Sequence, residues 1–250
     1  MSTTPPLEGR RALITGASAG IGAATARQLV AAGAQVVLAA RRADRLAELA
    51  AELGSAASTL VLDVRDGAAV EAALVDLELD LLVLNAGLAR GTTPAFGNSL
   101  DELDDMIDTN VKGYLHVLRA TLPGMLERGR GDVVLLGSVA GRQVYPGGGV
   151  YCMTKHAVRA LYESLRIDGA GRGVRFTTVD PGMVETDFSK VRFEGDEEKA
   201  AAVYAGMAAL LPEDIAEVIT FAVTRPAHVN LGEIVVWPTD QASTTMVRRD

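Results

Sequence analysis

Between the aliphatic run Arg11–Thr15 and the alanine-rich stretch Ile21–Ala32 lies the loop Gly16-Ala17-Ser18-Ala19-Gly20-Ile21-Gly22. Glycines placed between an extended run and a helix-forming one permit a tight turn and a close backbone approach. They also expose the first N–H groups of the following helix, which have no intrahelical partners. Those donors and the positive end of the helix dipole favour an anion such as a phosphate group. A strand, glycine loop and helix in this order need a parallel neighbour strand, so the loop constrains the fold class as well as the ligand.

The rest of the chain repeats the unit. Arg11–Thr15, Gln35–Ala40, Ser58–Leu62, Asp80–Leu84, Asp132–Gly137, Val174–Val179 and Glu233–Val236 read as strands. Most lack clean alternation of apolar and polar residues, as strands covered on both faces do. Ile21–Ala32, Ala43–Leu53, Gly67–Asp76, Leu100–Pro123, Gly149–Ile167 and Pro212–Val223 read as helices, with Pro212 in a first turn and Gly33 and Gly54 as C-terminal stops. The alternation predicts an α/β fold with a doubly wound, mostly parallel sheet of seven strands flanked by helices. No Ser/Gly linker, repeat or low-complexity tract divides it, so residues 1–250 are expected to form one domain, with residues 1–8 flexible. The segment Glu185–Ala209 has no strand pattern and is charged around Glu194–Lys199; a connection that long is expected to be a lid rather than an ordinary loop.

Composition excludes several functions. A formal charge of −8 with no Lys/Arg run gives no electrostatic footprint for nucleic acid and no polybasic membrane contact. The N-terminus has no basic and apolar leader pattern, and no apolar stretch reaches the roughly 18–20 residues that cross a bilayer. The single cysteine, Cys152, excludes an intrachain disulfide and reads as a small core side chain; a cytoplasmic protein is expected. His116, His156 and His228 have no metal-ligand spacing, so no metal is expected.

Tyr151 and Lys155 are four residues apart on a predicted helix, thirteen residues after Ser138 at a strand end. Positions i and i+4 share a helix face, with Cβ atoms about 5–6 Å apart. An ammonium about 4 Å from a phenol, at an effective dielectric near 20, contributes on the order of 4 kcal/mol, enough to move the phenol from near 10 toward neutral pH. The pair is therefore expected to work as a proton-transfer device, with Ser138 holding the reacting oxygen.

The glycine loop, Asp63, Asn85-Ala86-Gly87, Asn110, Ser138, Tyr151-x-x-x-Lys155 and Pro181-Gly182 together resemble the short-chain dehydrogenase/reductase family, from about Arg10 to the C-terminus. The resemblance implies a Rossmann fold and hydride transfer between a nicotinamide dinucleotide and a carbonyl or alcohol. It implies cofactor contacts at Gly16, Ser18, Ala19, Gly20, Ile21 and Gly22, at Asp63 and Val64 near the adenine, and at Asn85, Ala86 and Gly87. It further implies that Lys155 binds the nicotinamide ribose, that Asn110 holds a water extending the proton path, and that Pro181, Gly182, Val184 and Thr186 close over the nicotinamide. Leu84 stands where the family's turn has a first Asn, which removes one polar contact.

The second strand ends in Ala39-Ala40-Arg41-Arg42, where NAD-binding domains usually place a carboxylate for the ribose hydroxyls. Two guanidiniums instead suit a 2′-phosphate, with Ser18 adding a hydroxyl, so NADP is the expected cofactor. Within the family, Met106–Asn110, Leu122–Met125, Phe188–Asp196 and Pro226–Asn230 are most similar to stretches of bacterial 3-hydroxy acid dehydrogenases that also oxidise serine. Ala39–Arg42 and Pro238–Gln241 are similar to the reductase of the aldehyde precursor of clavulanic acid. A 3-oxoacyl-type ketoreductase and a non-catalytic NADP-sensing protein are the alternatives. Arg192, flanked by Val191 and Phe193, is the candidate for a substrate carboxylate, against a side chain that faces solvent or pairs with Glu194 or Asp196. By resemblance the chain is expected to form a homotetramer through Leu100–Pro123 and Gly149–Ile167.

Overall fold

The computed structural model describes residues 4–250, and at its centre is a parallel sheet of seven strands. These are β1 (Arg11–Thr15), β2 (Gln35–Ala40), β3 (Ala57–Val61), β4 (Leu81–Leu84), β5 (Gly131–Leu136), β6 (Val174–Pro181) and β7 (Glu233–Val236). In space they run β3-β2-β1-β4-β5-β6-β7. The chain winds outward from β1 to β3 and then restarts at β4 on the other side of β1. Such a reversal opens a crevice at the C-terminal strand ends, where open α/β sheets bind ligands.

Consecutive strand residues serve opposite layers, which is why the inner strands read as unbroken apolar runs. Ala12, Ile14, Val36, Leu38, Leu81 and Val83 pack beneath α1 (Gly20–Ala31), α2 (Ala43–Leu53) and a late helix, Pro212–Val223. Their neighbours Leu13, Val37, Ala39, Leu82 and Leu84 face α3 (Gly67–Leu74) and the helices that follow β4 and β5. β3 lies at an edge with Ser58, Thr59 and Val61 exposed, and its paired register begins one residue earlier than the sequence pattern suggests.

The expected helix Leu100–Pro123 is in fact three pieces. α4 (Leu100–Ile107) starts with a capping box between Ser99 and Glu102, widens into a π-helical turn at Asp108–Lys112, and continues as α5 (Gly113–Arg128). α5 runs through Pro123 rather than stopping there. The carbonyl that Pro123 cannot reach belongs to Arg119, on the exposed side of the helix. α6 (Gly149–Asp168) follows the expected helix with one further residue. The segment 185–209 contains two short helices that its irregular pattern conceals, α7 (Phe188–Arg192) and α8 (Glu197–Ala202), before α9 (Pro212–Val223). Of the segment expected to be flexible, residues 1–3 lie outside the described residues. Leu7, by contrast, is fully buried, and its N–H donates to the Ala32 carbonyl at 2.9 Å. Among the described residues no helix is long and apolar enough to cross a membrane.

At the strand end opposite the crevice, the buried Asp132 accepts Arg10 Nη2 and Arg175 Nε, each at 2.6 Å. Arg175 also donates to the carbonyls of Val223, Arg225 and Val229, tying the end of α9 to the sheet. Asp132→Ala leaves two guanidiniums without their carboxylate and should cost about 3–5 kcal/mol, the range for breaking a buried pair on one side. The check is a fall in the urea midpoint at unchanged m-value. A loss below about 1 kcal/mol would mean that water already screens the pair.

Candidate active site

The ends of β1 and β4 are bound together by side chains. Thr15 Oγ1 accepts the Asn85 and Ala86 N–H groups at 3.0 and 3.1 Å. In return Asn85 Nδ2 donates to the Thr15 and Gly16 carbonyls at 2.9 and 3.2 Å. Gly16 is held against this turn with φ +67°, and a Cβ there would lie 2.9 Å from Ala86 Cα. At Gly22 a Cβ would lie 2.5 Å from the Gly16 carbonyl oxygen, so only glycine lets α1 start this close beneath the loop. Leu84, where an Asn was expected, is fully buried, and the turn after it is intact.

A cleft of about 520 Å³ runs along these strand ends. It is lined by Gly16, Ser18, Ala19, Gly20 and Ile21 of the loop, by Arg41, Arg42, Asp63 and Val64 at one end, and by Asn85, Ala86 and Gly87 in the middle. Ser138, Tyr151, Lys155, Pro181, Gly182, Val184, Thr186 and Arg192 line the other end. Of the residues nominated from sequence, Gly22 and Asn110 stay outside the lining and support it from behind.

At the first end, Arg42 donates Nε and Nη2 to Ser18 Oγ at 3.1 and 3.0 Å, joining β2 to the glycine loop. Arg41 is exposed beside it. Burial alone would raise the Asp63 carboxyl; hydrogen bonds and charge from Arg65, with a smaller contribution from Arg41, outweigh it and hold the group below its ordinary value.

At the other end, Ser138 Oγ accepts the Ala140 N–H at 3.1 Å and lies 3.5 Å from the Pro181 carbonyl. Lys155 is buried, and its Nζ donates to the Leu136 carbonyl at 2.8 Å. The ammonium lies 5.9 Å from the centre of the Tyr151 ring and 6.0 Å from that of Tyr114. Burial lowers its pKa from 10.5 to about 8, while Asp180 pulls it upward. The Tyr151 phenol, by contrast, is raised, by burial first and then by Tyr145, opposed by a hydrogen bond to Ser138 and by Arg192. The expected depression of Tyr151 by Lys155 is therefore not what this geometry gives. The ammonium is turned toward β5, and desolvation of the phenol outweighs what lowers it.

The π-helical turn drives Asn110 inward. Its Oδ1 accepts the Leu88 N–H at 2.8 Å, and its Nδ2 donates to the Leu88 carbonyl at 2.8 Å and to Thr154 Oγ1 at 3.1 Å. The side chain is thus a clasp between the exit of β4 and α6, at the residue just before Lys155.

Arg192 takes neither of its two expected acidic partners. Its Nε donates to the Gly91 carbonyl at 2.8 Å and its Nη1 to the Tyr145 hydroxyl at 3.1 Å. Among the described residues no carboxylate pairs with it. Tyr145, Phe188 and Gln241 also line the cleft and were not nominated from the sequence. Phe188 packs on Tyr151 at 5.6 Å between ring centres, and Gln241 Oε1 accepts the Met183 N–H at 2.9 Å, fixing the backbone after Pro181. Tyr145 sits in a Gly/Pro-rich turn with no local signal of its role, whereas Gln241 belongs to the Pro238–Gln241 stretch already notable for its resemblance.

The cleft thus offers an anion cradle in its middle, a hydroxyl and two guanidiniums at one end, and a hydroxyl, a phenol and a buried amine at the other. A dinucleotide with a phosphate near its adenosine end fits this order of donors, and proton transfer fits the far end.

The buried amine has a stability consequence. A lysine whose folded pKa lies below its unfolded value opposes folding while it is protonated in both states, and the opposition fades as pH rises from about 8 toward 10.5. Lys155→Met should therefore raise the unfolding free energy at pH 7 by about 1–3 kcal/mol. The Leu136 carbonyl keeps the Tyr114 hydroxyl at 3.1 Å as a donor. Denaturation at pH 7 and pH 10 checks this; a variant less stable than wild type at pH 7 would contradict it.

Three comparisons bear on this geometry. The family model described as short chain dehydrogenase matches residues 10–197. The chain is 46% identical over 236 residues to the NADP-dependent 3-hydroxy acid dehydrogenase YdfG of Salmonella typhi, covering 92% of this chain and 95% of that one. It is 50% identical over 242 residues to an uncharacterized oxidoreductase of Mycobacterium tuberculosis strain H37Rv, covering 96% of each. The closed form of a serine dehydrogenase complexed with NADP+ superposes with a TM-score of 0.91 at 43% identity, covering 96% of this chain and all of that one. With the cleft, its phosphate cradle and its Ser138–Tyr151–Lys155 end in place, this chain belongs to the short-chain dehydrogenase family.

Proposed function

We propose that this enzyme uses NADP to interconvert an alcohol and a carbonyl on a small 3-hydroxy acid, serine or a related aldehyde. One observation carries the reading: Arg192, which has no carboxylate partner among the described residues, faces the same cleft end as Ser138 and Tyr151. A substrate carboxylate on Arg192 leaves the hydroxyl carbon of a short acid for the Ser138–Tyr151 side. The names of the relatives, 3-hydroxy acid dehydrogenase and serine dehydrogenase, support the same substrate class. A 3-oxoacyl-type ketoreductase or an NADP sensor has no comparable observation in its favour.

Bound NADP supplies or accepts the hydride. The chain holds it through the loop donors at Gly16–Gly22, through Ser18, Arg41 and Arg42 toward the 2′-phosphate, through Asp63 and Val64 toward the adenine, and through Val184 and Thr186 toward the carboxamide. Ser138 donates a hydrogen bond to the substrate oxygen and fixes its direction. Tyr151, held protonated by burial, delivers its proton to that oxygen in the reducing direction and recovers it in the oxidising one. Lys155 orients the ribose, and Asn110 clasps the exit of β4 to α6 at the residue before Lys155. Leu115 and Met153, exposed on α5 and α6, support the homotetramer proposed through these helices.

Two experiments test the reading. Arg41→Ala with Arg42→Ala should raise the KM for NADPH far more than that for NADH, because charge-assisted phosphate contacts are worth about 1.5–3 kcal/mol each. A wild type equally good with NADH would overturn the cofactor assignment. A steady-state comparison over 3-hydroxy acids, serine and a neutral aldehyde tests the site. Tyr151→Phe should lose turnover on all while binding NADPH. Arg192→Ala should lose at least tenfold, about 1.4 kcal/mol, on the acids and little on the aldehyde. Equal losses on charged and neutral substrates would reduce Arg192 to a residue that orders its own segment.

A further inference from the structure

A continuous chain of ion pairs joins the Asp63 end of the cleft to the backbone that carries Arg192. Both Asp63 oxygens accept the Arg65 guanidinium, Oδ2 from Nη2 at 2.7 Å, and Oδ1 also accepts the Arg65 N–H at 3.0 Å. The free arm of Arg65, Nη1, donates to Asp105 Oδ1 on α4 at 2.8 Å. Asp105 Oδ2 accepts Arg90 Nη2 at 2.7 Å and Nε at 3.2 Å. Arg90 Nη1 then donates to the Val191 carbonyl at 3.3 Å. The next residues close the seam: Gly91 N–H donates to the Arg192 carbonyl at 2.9 Å, and Arg192 Nε returns to the Gly91 carbonyl at 2.8 Å.

Single exposed ion pairs contribute little, but a partly buried network with a shared carboxylate holds its members in one arrangement. Each Asp105 oxygen holds a different arginine, so neither arginine can move without the other. The network begins at a group that lines the cofactor cleft and ends at the residue facing the substrate. We propose that Arg65, Asp105 and Arg90 are positioning residues that couple occupancy of the Asp63 end by the nucleotide to the placement of Arg192 over the substrate carboxylate. This rests on the cofactor and carboxylate roles proposed above. A nucleotide that fixes Asp63 bears part of the ordering cost of the network, so the acid then binds to a segment already in place. Linkage makes the effect reciprocal: the acid must tighten nucleotide binding by the same factor.

NADPH with a 3-hydroxy acid is an unreactive pair, because cofactor and substrate are in the reduced and alcohol forms together. Binding can therefore be read without turnover, by titrating NADPH fluorescence with and without saturating 3-hydroxybutyrate. The wild type should bind NADPH about fivefold or more tightly with the acid present. Asp105→Asn and, independently, Arg90→Met should bring that ratio close to one, while Asp105→Glu restores most of it and NADPH alone binds all three within about threefold of wild type. Amide exchange across Phe188–Phe193 should slow on adding NADPH to wild type and change little in Asp105→Asn. A wild-type ratio retained in both broken variants overturns the proposal. So does a ratio of one in a wild type that binds NADPH, and that result leaves the cofactor assignment standing. A flat NADPH titration of wild type overturns both.

Discussion

The exchange of hydrogen bonds between Thr15 and the Asn85–Ala86 turn is the joint on which the cleft depends. A sheet that restarts at β4 beside β1 leaves two strand ends side by side, and their main-chain groups have no further strand to pair with. Thr15 Oγ1 satisfies two N–H groups of the second end, and Asn85 Nδ2 satisfies two carbonyls of the first. Buried main-chain groups must be paired, so this is a structural requirement before it is a functional one. Its consequence is that Gly16 is pressed against Ala86 and the following helix begins directly beneath the cleft. The phosphate-binding role proposed for the loop rests on that closure.

From the joint the polar groups sort themselves by which strand ends near them. β2 leads into Arg41 and Arg42, β3 into Asp63, β5 into Ser138, and β6 into the segment that carries Arg192. The cleft therefore has a cationic rim at one end and a set of proton donors at the other. Lys155 shows that the second end is not arranged for stability. It is buried at a depressed pKa, its Nζ satisfied by a carbonyl and its charge supported by Asp180 in the adjacent strand. Asp180 is itself held by Thr178 and Arg142, so the support for the amine extends across β6 to the sheet edge.

Strand positions were legible because their chemistry is local and repeated. β1, β2 and β7 have the expected limits, as do α2 and α9. Two kinds of feature were not legible. One was geometry within a helix: Asn110 falls inside a stretch that reads as one helix, and the π-helical turn that buries it brings it to Leu88 and Thr154, which are distant in the chain. The other was what long side chains reach. Arg192 has two acidic neighbours in the sequence, Glu194 and Asp196, whereas its contacts are Gly91 and Tyr145, roughly a hundred and about fifty residues away. The i, i+4 spacing of Tyr151 and Lys155 put them on one face, yet the direction of the amine was set by the Leu136 carbonyl on another element.

The two ends of the cleft answer to different physics, and this explains why the 185–209 segment is built as it is. A phosphate end can sit near solvent, since charge-assisted pairs there tolerate water, and Arg41 and Arg42 are exposed accordingly. A proton-transfer end gains strength as water leaves, because electrostatic interactions grow in low dielectric. In the proposed lid, Phe188 of α7 packs on the Tyr151 ring, and Val203 and Tyr204, just after α8, line the wall. Yet α7 has only five residues, too few to hold its own position by helix formation. Its place is set from outside, by Gly91 and Arg90 on one side and by the Tyr204 hydroxyl bonded to Ser189 and Val184 on the other. Edge contacts of this kind suit the proposed lid, which has to admit a small substrate and return to one arrangement.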